Sequence, residues 1–213
     1  LILTADRGRG KSSALGIAAA KLMQISDKRI YITAPHIRNV EQVFIHNKRL
    51  LPEAVMYKNS VLHESSSLTF KSIDVLLSDE ISADLLLVDE ASAIPVDILN
   101  KLAKKFPRIV FSTTVHGYEG SGRGFEMRFI RQLSQRKPDF KRSQMLQPIR
   151  WYKHDTLEQF WFTSLFHNVQ QGTETFEPES QSINCRHLTK TQLLNNKTLL
   201  GGLFRLLIDA HYQ

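Results

Sequence analysis

A glycine-rich stretch near the start of the chain, TADRGRGKS, occupies Thr4–Ser12 and narrows the range of folds that the chain can adopt. An apolar run, Leu1–Thr4, leads into it, and a small-residue segment of helical composition, Lys11–Gln24, follows it. Glycines allow consecutive N–H groups to curl around an anion, and the first turn of a helix adds unpaired N–H groups and a favourable dipole. A strand, such a loop and a helix in this order predict a phosphate-binding loop.

The stretch matches the usual phosphate-loop pattern G-x-x-x-x-G-K-[ST] at every position except the first, where Ala5 replaces glycine. Alanine is compatible with that position if the backbone there does not need a positive φ. The alternative is a chance glycine-rich turn, and the strand and helix on either side argue against it.

An acidic pair, Asp89 and Glu90, follows an apolar run in the segment LLLVDEA, about 80 residues further along. Acids at strand ends are common, but nucleotide hydrolysis needs such a pair beside a phosphate loop. We expect Lys11 to contact the β- and γ-phosphates and Ser12 to bind Mg²⁺. Asp89 would hold Mg²⁺ through water, and Glu90 would activate the attacking water. The two motifs together predict ATP hydrolysis of the helicase-like type.

Short apolar runs alternate with helix-like segments along the first part of the chain, and Pro95 is placed to open one of the helices. This βα alternation predicts an α/β domain with a mostly parallel sheet, helices on both faces and ligands at the carboxyl ends of the strands. After Arg150 the pattern changes to helix-like segments separated by a polar stretch. We expect a domain over residues 1–150 and a helical extension over 151–213. The predicted strands after the first are Arg29–Ala34, Leu85–Asp89, Arg108–Thr113 and Ser143–Gln147, and the predicted helices include Ile37–Leu51, Gly124–Arg136, Asp155–His167 and Leu199–Tyr212.

Composition excludes several classes of protein. No apolar run approaches the roughly 18–20 residues that a membrane span needs, so we expect no membrane association. The single cysteine, Cys185, cannot form an internal disulfide or a cysteine-rich zinc site, which favours a reducing compartment, the cytoplasm. The chain begins without Met and without a signal peptide, so we expect it to be part of a longer polypeptide.

The net charge of +7 is concentrated in residues 101–150, which contain 12 Lys and Arg against 3 Asp and Glu. Aromatic residues are interleaved with these bases, a mixture suited to phosphate neutralisation and base stacking. The alternative is a solvated basic face whose aromatic residues belong to the core. The charge concentration favours nucleic-acid binding.

Within this block, the segment STTVHGYEGSGRGF spans Ser112–Phe125. Within it, Gly120, Gly122 and Gly124 are closely spaced around Arg123 and predict a loop whose backbone can approach a ligand. Hydroxyls of Ser112–Thr114 at the preceding strand end could sense the γ-phosphate, or they could be ordinary strand residues. The nucleic-acid-binding or coupling candidates are Tyr118 and Arg123 in the loop and Arg128 and Arg131 in the helix after it.

These motifs, together with LQPIRW and the terminal LIDAHYQ, resemble the ATPase/helicase-like module of the tRNA(Met) cytidine acetyltransferase family, and the bacterial members in particular. The resemblance covers essentially the whole chain and implies a RecA-like P-loop NTPase lobe. Family members make N4-acetylcytidine in RNA with acetyl-CoA as donor and hydrolyse ATP or GTP. The bacterial members act on the wobble cytidine of elongator tRNA(Met).

The resemblance also implies which residues contact the nucleotide. Arg150, in PIRW, would stabilise charge on the phosphates as an arginine finger does, and the alternative for it is a structural arginine at a strand end. The other implied nucleotide contacts are Ala5, Asp6, Arg7, Gly8, Arg9, Gly10, Lys11, Ser12 and Ser13.

A complete family member also has an N-terminal domain and an acetyltransferase domain that binds acetyl-CoA. This sequence contains the pattern of neither domain, so we expect both domains to be partners of this one within the intact chain. We expect tRNA to be the RNA partner. We expect no acetyl transfer by this piece alone. Two alternatives remain at this point. One is a fragment of a RecD-like DNA helicase, and the other is a non-catalytic lobe that binds nucleotide and RNA.

Overall fold

The computed structural model describes residues 1–78, 81–114, 125–165, 185 and 187–212. It divides into two compact units, Leu1–Lys153 and His154–Gln213, which are treated separately below. The domains proposed from the sequence, 1–150 and 151–213, stay a prediction. Two of the nucleic-acid-binding candidates, Tyr118 and Arg123, lie outside the described residues, as does most of their glycine-rich loop.

The described part of the first unit is built on an eight-stranded sheet with the strand order β3-β4-β5-β2-β6-β7-β1-β8. Along the sheet, every pair of neighbours in the run β5-β2-β6-β7-β1-β8 is parallel. The pairs β3-β4 and β4-β5 are antiparallel. The sheet is therefore mostly parallel, as the βα alternation predicts. The strands are β1 Ile2–Ala5, β2 Arg29–Thr33, β3 Val55–Tyr57, β4 Ser60–His63, β5 Ser66–Phe70, β6 Leu85–Val88, β7 Ile109–Thr114 and β8 Arg142–Met145.

Helices cover both faces of this sheet, because successive strand residues point to opposite sides. Leu86 and Val88 of β6 belong to one apolar core, and Leu87 between them belongs to the other. The helices on the Leu87 side are α1 Lys11–Ile25 and α2 Glu41–Leu50, and those on the other side are α3 Ile73–Leu77, α4 Val96–Lys105, the π-helical turn Phe125–Ile130 and α5 Arg131–Arg136.

Several boundaries differ from the sequence-based prediction. The helix expected over Ile37–Leu51 begins as a 3₁₀ turn, Ile37–Val40, before α2. The antiparallel strands β3 to β5 were not predicted, because they are only three to five residues long and show no sustained apolar alternation. Helix α4 begins directly after Pro95, as expected.

The second unit contains three described helices, α6 Thr156–Ser164, α7 Lys190–Asn195 and α8 Lys197–Tyr212. The Asp155 carboxylate caps α6 by accepting the Glu158 N–H at 2.8 Å, and a capping box between Thr189 and Gln192 opens α7. None of the helices in the described part of the chain is long and apolar enough to cross a membrane.

Candidate active site

The loop between β1 and α1 has the backbone of an anion-binding loop. Gly8 and Gly10 adopt left-handed conformations, with φ of 79° and 81°, which glycine reaches without a Cβ penalty. Gly10 lies directly before α1, so the unpaired N–H groups of the first turn face the same space. Ala5 is the last residue of β1 and has no positive φ, which explains why alanine is tolerated at the first position of the pattern.

Lys11 is the first residue of α1 and is almost completely buried, with 7% of its surface exposed. Its Nζ donates a hydrogen bond to Thr114 Oγ1 at 2.9 Å. Burial lowers the pKa of Lys11 below its ordinary value, and the Glu90, Asp89 and Asp6 carboxylates oppose that shift. The site thus holds a desolvated ammonium close to carboxylates, where a phosphate anion would compensate its charge.

Ser12 and Asp89 meet at the carboxyl ends of β1 and β6, although 77 residues separate them in the sequence. The Ser12 hydroxyl donates to Asp89 Oδ2 at 2.6 Å. Asp89 is fully buried, and its other carboxylate oxygen accepts the Glu90 N–H at 3.0 Å. A hydroxyl and a carboxylate are the hard oxygen ligands that Mg²⁺ takes beside a phosphate, so this pair fits that ion.

Glu90 has a left-handed backbone, with φ of 49°, which is uncommon for a residue with a side chain. This turn brings Glu90 Oε2 within 3.5 Å of the Thr114 hydroxyl, which donates a long hydrogen bond to it. Burial raises the pKa of Glu90, and Asp89 raises it further, whereas the Lys11 charge lowers it. A carboxylate with a raised pKa is a stronger base than an ordinary glutamate.

Lys11, Ser12, Glu90 and Thr114 line a cleft of about 1090 Å³. The sequence-predicted residues that line it are Arg7, Gly8, Gly10, Lys11, Ser12, Ser13, Glu90 and Arg150. Ala5, Asp6, Arg9 and the buried Asp89 are not among the lining residues.

The sequence analysis missed one side of the cleft. Pro35 and His36 come two and three residues after the end of β2 at Thr33, so the rule that ligands lie at the carboxyl ends of parallel strands could have located them. The other lining residues that were not assigned to the site are Ile17, Asn39, Gln42, His46, Ser92, Ala93 and Ile149. Thr114, one of the three hydroxyl residues given as possible γ-phosphate sensors or ordinary strand residues, also lines the cleft.

The segment Ile149–Trp151 packs against the phosphate loop. The Ile149 N–H donates to the Gly8 carbonyl at 3.2 Å. The Trp151 ring lies against Gly8, and the Arg9 guanidinium lies 5.7 Å from the centre of that ring. Arg9 also forms an ion pair with Asp6 at 4.0 Å, so these two loop residues take part in structural contacts.

Two of the nucleic-acid-binding candidates fall on described residues. Arg128 is in the π-helical turn and Arg131 begins α5, and both side chains are exposed. They lie one turn apart on a helical segment whose apolar residues, Phe129 and Leu133, are buried in the core. Arg128 and Arg131 are not among the lining residues of the cleft.

Comparison with known proteins gives two kinds of match. The family model for the helicase domain of RNA cytidine acetyltransferase NAT10/TcmA matches residues 2–168. The tRNA(Met) cytidine acetyltransferases TmcA of Nitrosococcus halophilus and Vibrio cholerae are each 41% identical over the whole of this chain. The chain covers 29% and 30% of those two proteins, so it spans about a third of the length of its relatives.

The large terminase of the thermophilic bacteriophage D6E resembles the structure with a TM-score of 0.52 over 81% of this chain and 45% of the terminase. At 10% identity, this likeness shows the fold alone. The structural likeness to the terminase confirms the predicted α/β class. The sequence matches confirm the predicted resemblance to the tRNA(Met) cytidine acetyltransferase family. The chain belongs to the NAT10/TcmA family of RNA cytidine acetyltransferases, and it corresponds to the helicase domain of that family.

Proposed function

We propose that this chain binds ATP and Mg²⁺ in the cleft and hydrolyses ATP as the helicase-like part of an enzyme that acetylates cytidine in tRNA(Met). One observation carries the proposal. Lys11 and Ser12 begin α1, Asp89 and Glu90 follow β6, and the fold brings all four together at the carboxyl ends of parallel strands. A phosphate loop beside an acidic pair is the arrangement that nucleotide hydrolysis requires.

Binding would use the loop and Lys11. The N–H groups that follow Gly8 and Gly10 would donate hydrogen bonds to phosphate oxygens, and Lys11 would leave Thr114 to pair with the β- and γ-phosphates. Transfer of a buried ammonium from a neutral hydroxyl to an anion is favourable, because burial already disfavours its charge. GTP has the same triphosphate and would suit the loop equally.

Mg²⁺ would be held by Ser12 and, through water, by Asp89. When bound, the ion would neutralise charge on the phosphate oxygens. The Glu90 N–H and Ser12 hydroxyl both hydrogen bond to Asp89, so its carboxylate is already oriented toward the loop.

Glu90 would orient the attacking water and accept its proton. Its raised pKa and its exposure to the cleft suit this role. Arg150 lines the same cleft and would stabilise the charge that develops on the phosphates.

The RNA part of the proposal rests on family membership and charge. The relatives are named for tRNA(Met) cytidine acetylation, which favours RNA over the alternative of a RecD-like DNA helicase. Acetyl transfer from acetyl-CoA would belong to the remainder of a longer protein, including its acetyltransferase and N-terminal domains. ATP hydrolysis would drive the exposure of the wobble cytidine of elongator tRNA(Met), because a stacked base must be displaced before an enzyme can modify it.

The test is ATP hydrolysis by the chain with and without tRNA, at low and moderate salt. We expect turnover that tRNA stimulates, loss of turnover in Glu90→Gln, and loss of both binding and turnover in Lys11→Ala. Lys21→Ala is the matched control, because Lys21 is exposed on the same helix and should behave as the parent does. Binding without turnover would instead indicate a non-catalytic lobe, and stimulation by DNA but not by RNA would favour the DNA helicase.

A further inference from the structure

The segment Ile149–Trp151 is attached to the phosphate loop at three points. Its Ile149 N–H binds the Gly8 carbonyl, the Ile149 side chain lies against Gly10, and the Trp151 ring lies against Gly8. A methyl group built on either glycine would collide with these side chains, which shows how close the approach is. The two residues that flank Arg150 are therefore both fixed on the loop.

Arg150 and Trp151 have different places in this arrangement. Arg150 lines the cleft, whereas Trp151 is not among its lining residues and contacts the loop through Gly8 and Arg9. Arg9 is buried, with 7% of its surface exposed, and its guanidinium lies between the Trp151 ring and the Asp6 carboxylate. An aromatic ring suits this place, because its apolar atoms reach Gly8 and its π-system attracts the arginine.

We propose that Trp151 is a positioning residue: it fixes Arg150 relative to the phosphate loop, so that loop and arginine form one pre-organised unit. Arg150 is a long, exposed side chain and would otherwise lose conformational entropy when it engages a phosphate. Anchoring the chain on both sides of Arg150 removes the backbone share of that loss, so only the side chain remains to be ordered. This inference rests on the proposed function, because it assigns Arg150 to the nucleotide.

The first experiment is a double-mutant cycle between Trp151→Leu and Arg150→Ala. The probe is Mg·ATPγS, and its dissociation constant is measured by calorimetry. Each single substitution should weaken binding by roughly tenfold, and the double variant should be no more than about twofold weaker than Arg150→Ala alone. Trp151→Phe keeps an aromatic ring near Arg9 but lacks the far ring atoms that contact Gly8, so it should restore only part of the affinity. Losses that multiply in the double variant would overturn the proposal, because Trp151 would then act independently of Arg150.

The second measurement needs no nucleotide. Hydrogen exchange at the Ile149 amide and at the amides of residues 8–12 should be faster in Trp151→Leu than in the parent. Trp161, the other tryptophan, lies in the second unit, so exchange at these amides should be unchanged in Trp161→Phe. Equal protection of these amides in Trp151→Leu and the parent would overturn the proposal. If the parent binds no Mg·ATPγS, the proposed function fails, and the exchange result still decides whether Trp151 holds this segment on the loop.

Discussion

Lys11 Nζ donates a hydrogen bond to the Thr114 hydroxyl at 2.9 Å, and the same hydroxyl faces Glu90 at 3.5 Å. Thr114 ends β7, which lies between the strand that leads to the loop and the strand that leads to the acidic pair. One hydroxyl thus connects the Lys11 ammonium to the Glu90 carboxylate.

Replacing Thr114 with valine keeps the shape of the side chain and removes this connection. Because Lys11 is proposed to leave Thr114 when phosphate binds, the bond that matters during turnover is the long one from the hydroxyl to Glu90. A hydrogen bond to a charged group contributes about 1.5–3 kcal/mol at ordinary length, so we expect turnover to fall by up to roughly tenfold in Thr114→Val. Thr114→Ser keeps the hydroxyl and should retain most of the activity. The measurement is steady-state ATP hydrolysis, and equal rates in all three proteins would show that the hydroxyl has no part in turnover.

The pH dependence of kcat/KM for ATP should follow the two shifted groups. Glu90 must be ionised to accept a proton, so kcat/KM falls as pH drops through its pKa, which burial raises above the ordinary range. Lys11 must be protonated to bind phosphate, so kcat/KM also falls as pH rises through its pKa, which burial lowers. We therefore expect a bell-shaped pH profile of kcat/KM. Its two limbs should lie closer together than they would for a glutamate and a lysine with ordinary pKa values. An acid limb in the ordinary range of glutamate would contradict the role assigned to Glu90.

The close contact between α1 and α2 makes a prediction about stability. A Cβ on Gly16 would collide with the Val43 carbonyl, which belongs to backbone and cannot rotate away. We expect Gly16→Ala to lower the free energy of unfolding by about 1–3 kcal/mol, the usual cost of overpacking. Gly202→Ala, in α8, is the contrasting variant, because among the described residues no atom from outside its own helical turn lies within 4 Å of a Cβ built on Gly202. It should be neutral or stabilising. Chemical denaturation of both variants compares them, and a fully stable Gly16→Ala would show that the two helices can separate without loss.

The sequence contains the local patterns of the candidate site. The loop around Lys11 and the acid pair Asp89–Glu90 are short patterns, and the βα alternation indicates that their strands are parallel. What it could not predict depends on pairing between distant segments. The sequence left the hydroxyls of Ser112–Thr114 open as phosphate sensors or ordinary strand residues. It is the place of β7 between β1 and β6 that brings the Thr114 hydroxyl to Lys11.

Side-chain direction was also beyond the sequence. Arg9 belongs to the loop pattern, yet it packs under Trp151 rather than lining the cleft. That placement results from a contact between residues 9 and 151, which no local pattern encodes. For the same reason, His36 and His46 of the cleft wall were not found, since neither belongs to a motif.

The exposed arginines Arg128 and Arg131 make a prediction about RNA binding. If each contacts a phosphate, its replacement by alanine removes one counterion-releasing contact, and the slope of log K against log salt should become shallower by roughly 0.7–0.9 for each arginine. Arg49 is an exposed arginine at the end of α2 and is the matched control. Binding of tRNA is measured at several salt concentrations for the parent, Arg128→Ala, Arg131→Ala and Arg49→Ala. A slope that changes equally in all three variants would reflect the loss of one positive charge anywhere on the surface, and the RNA would then have to be placed elsewhere. A change confined to Arg128→Ala and Arg131→Ala would place the RNA backbone along this helical segment.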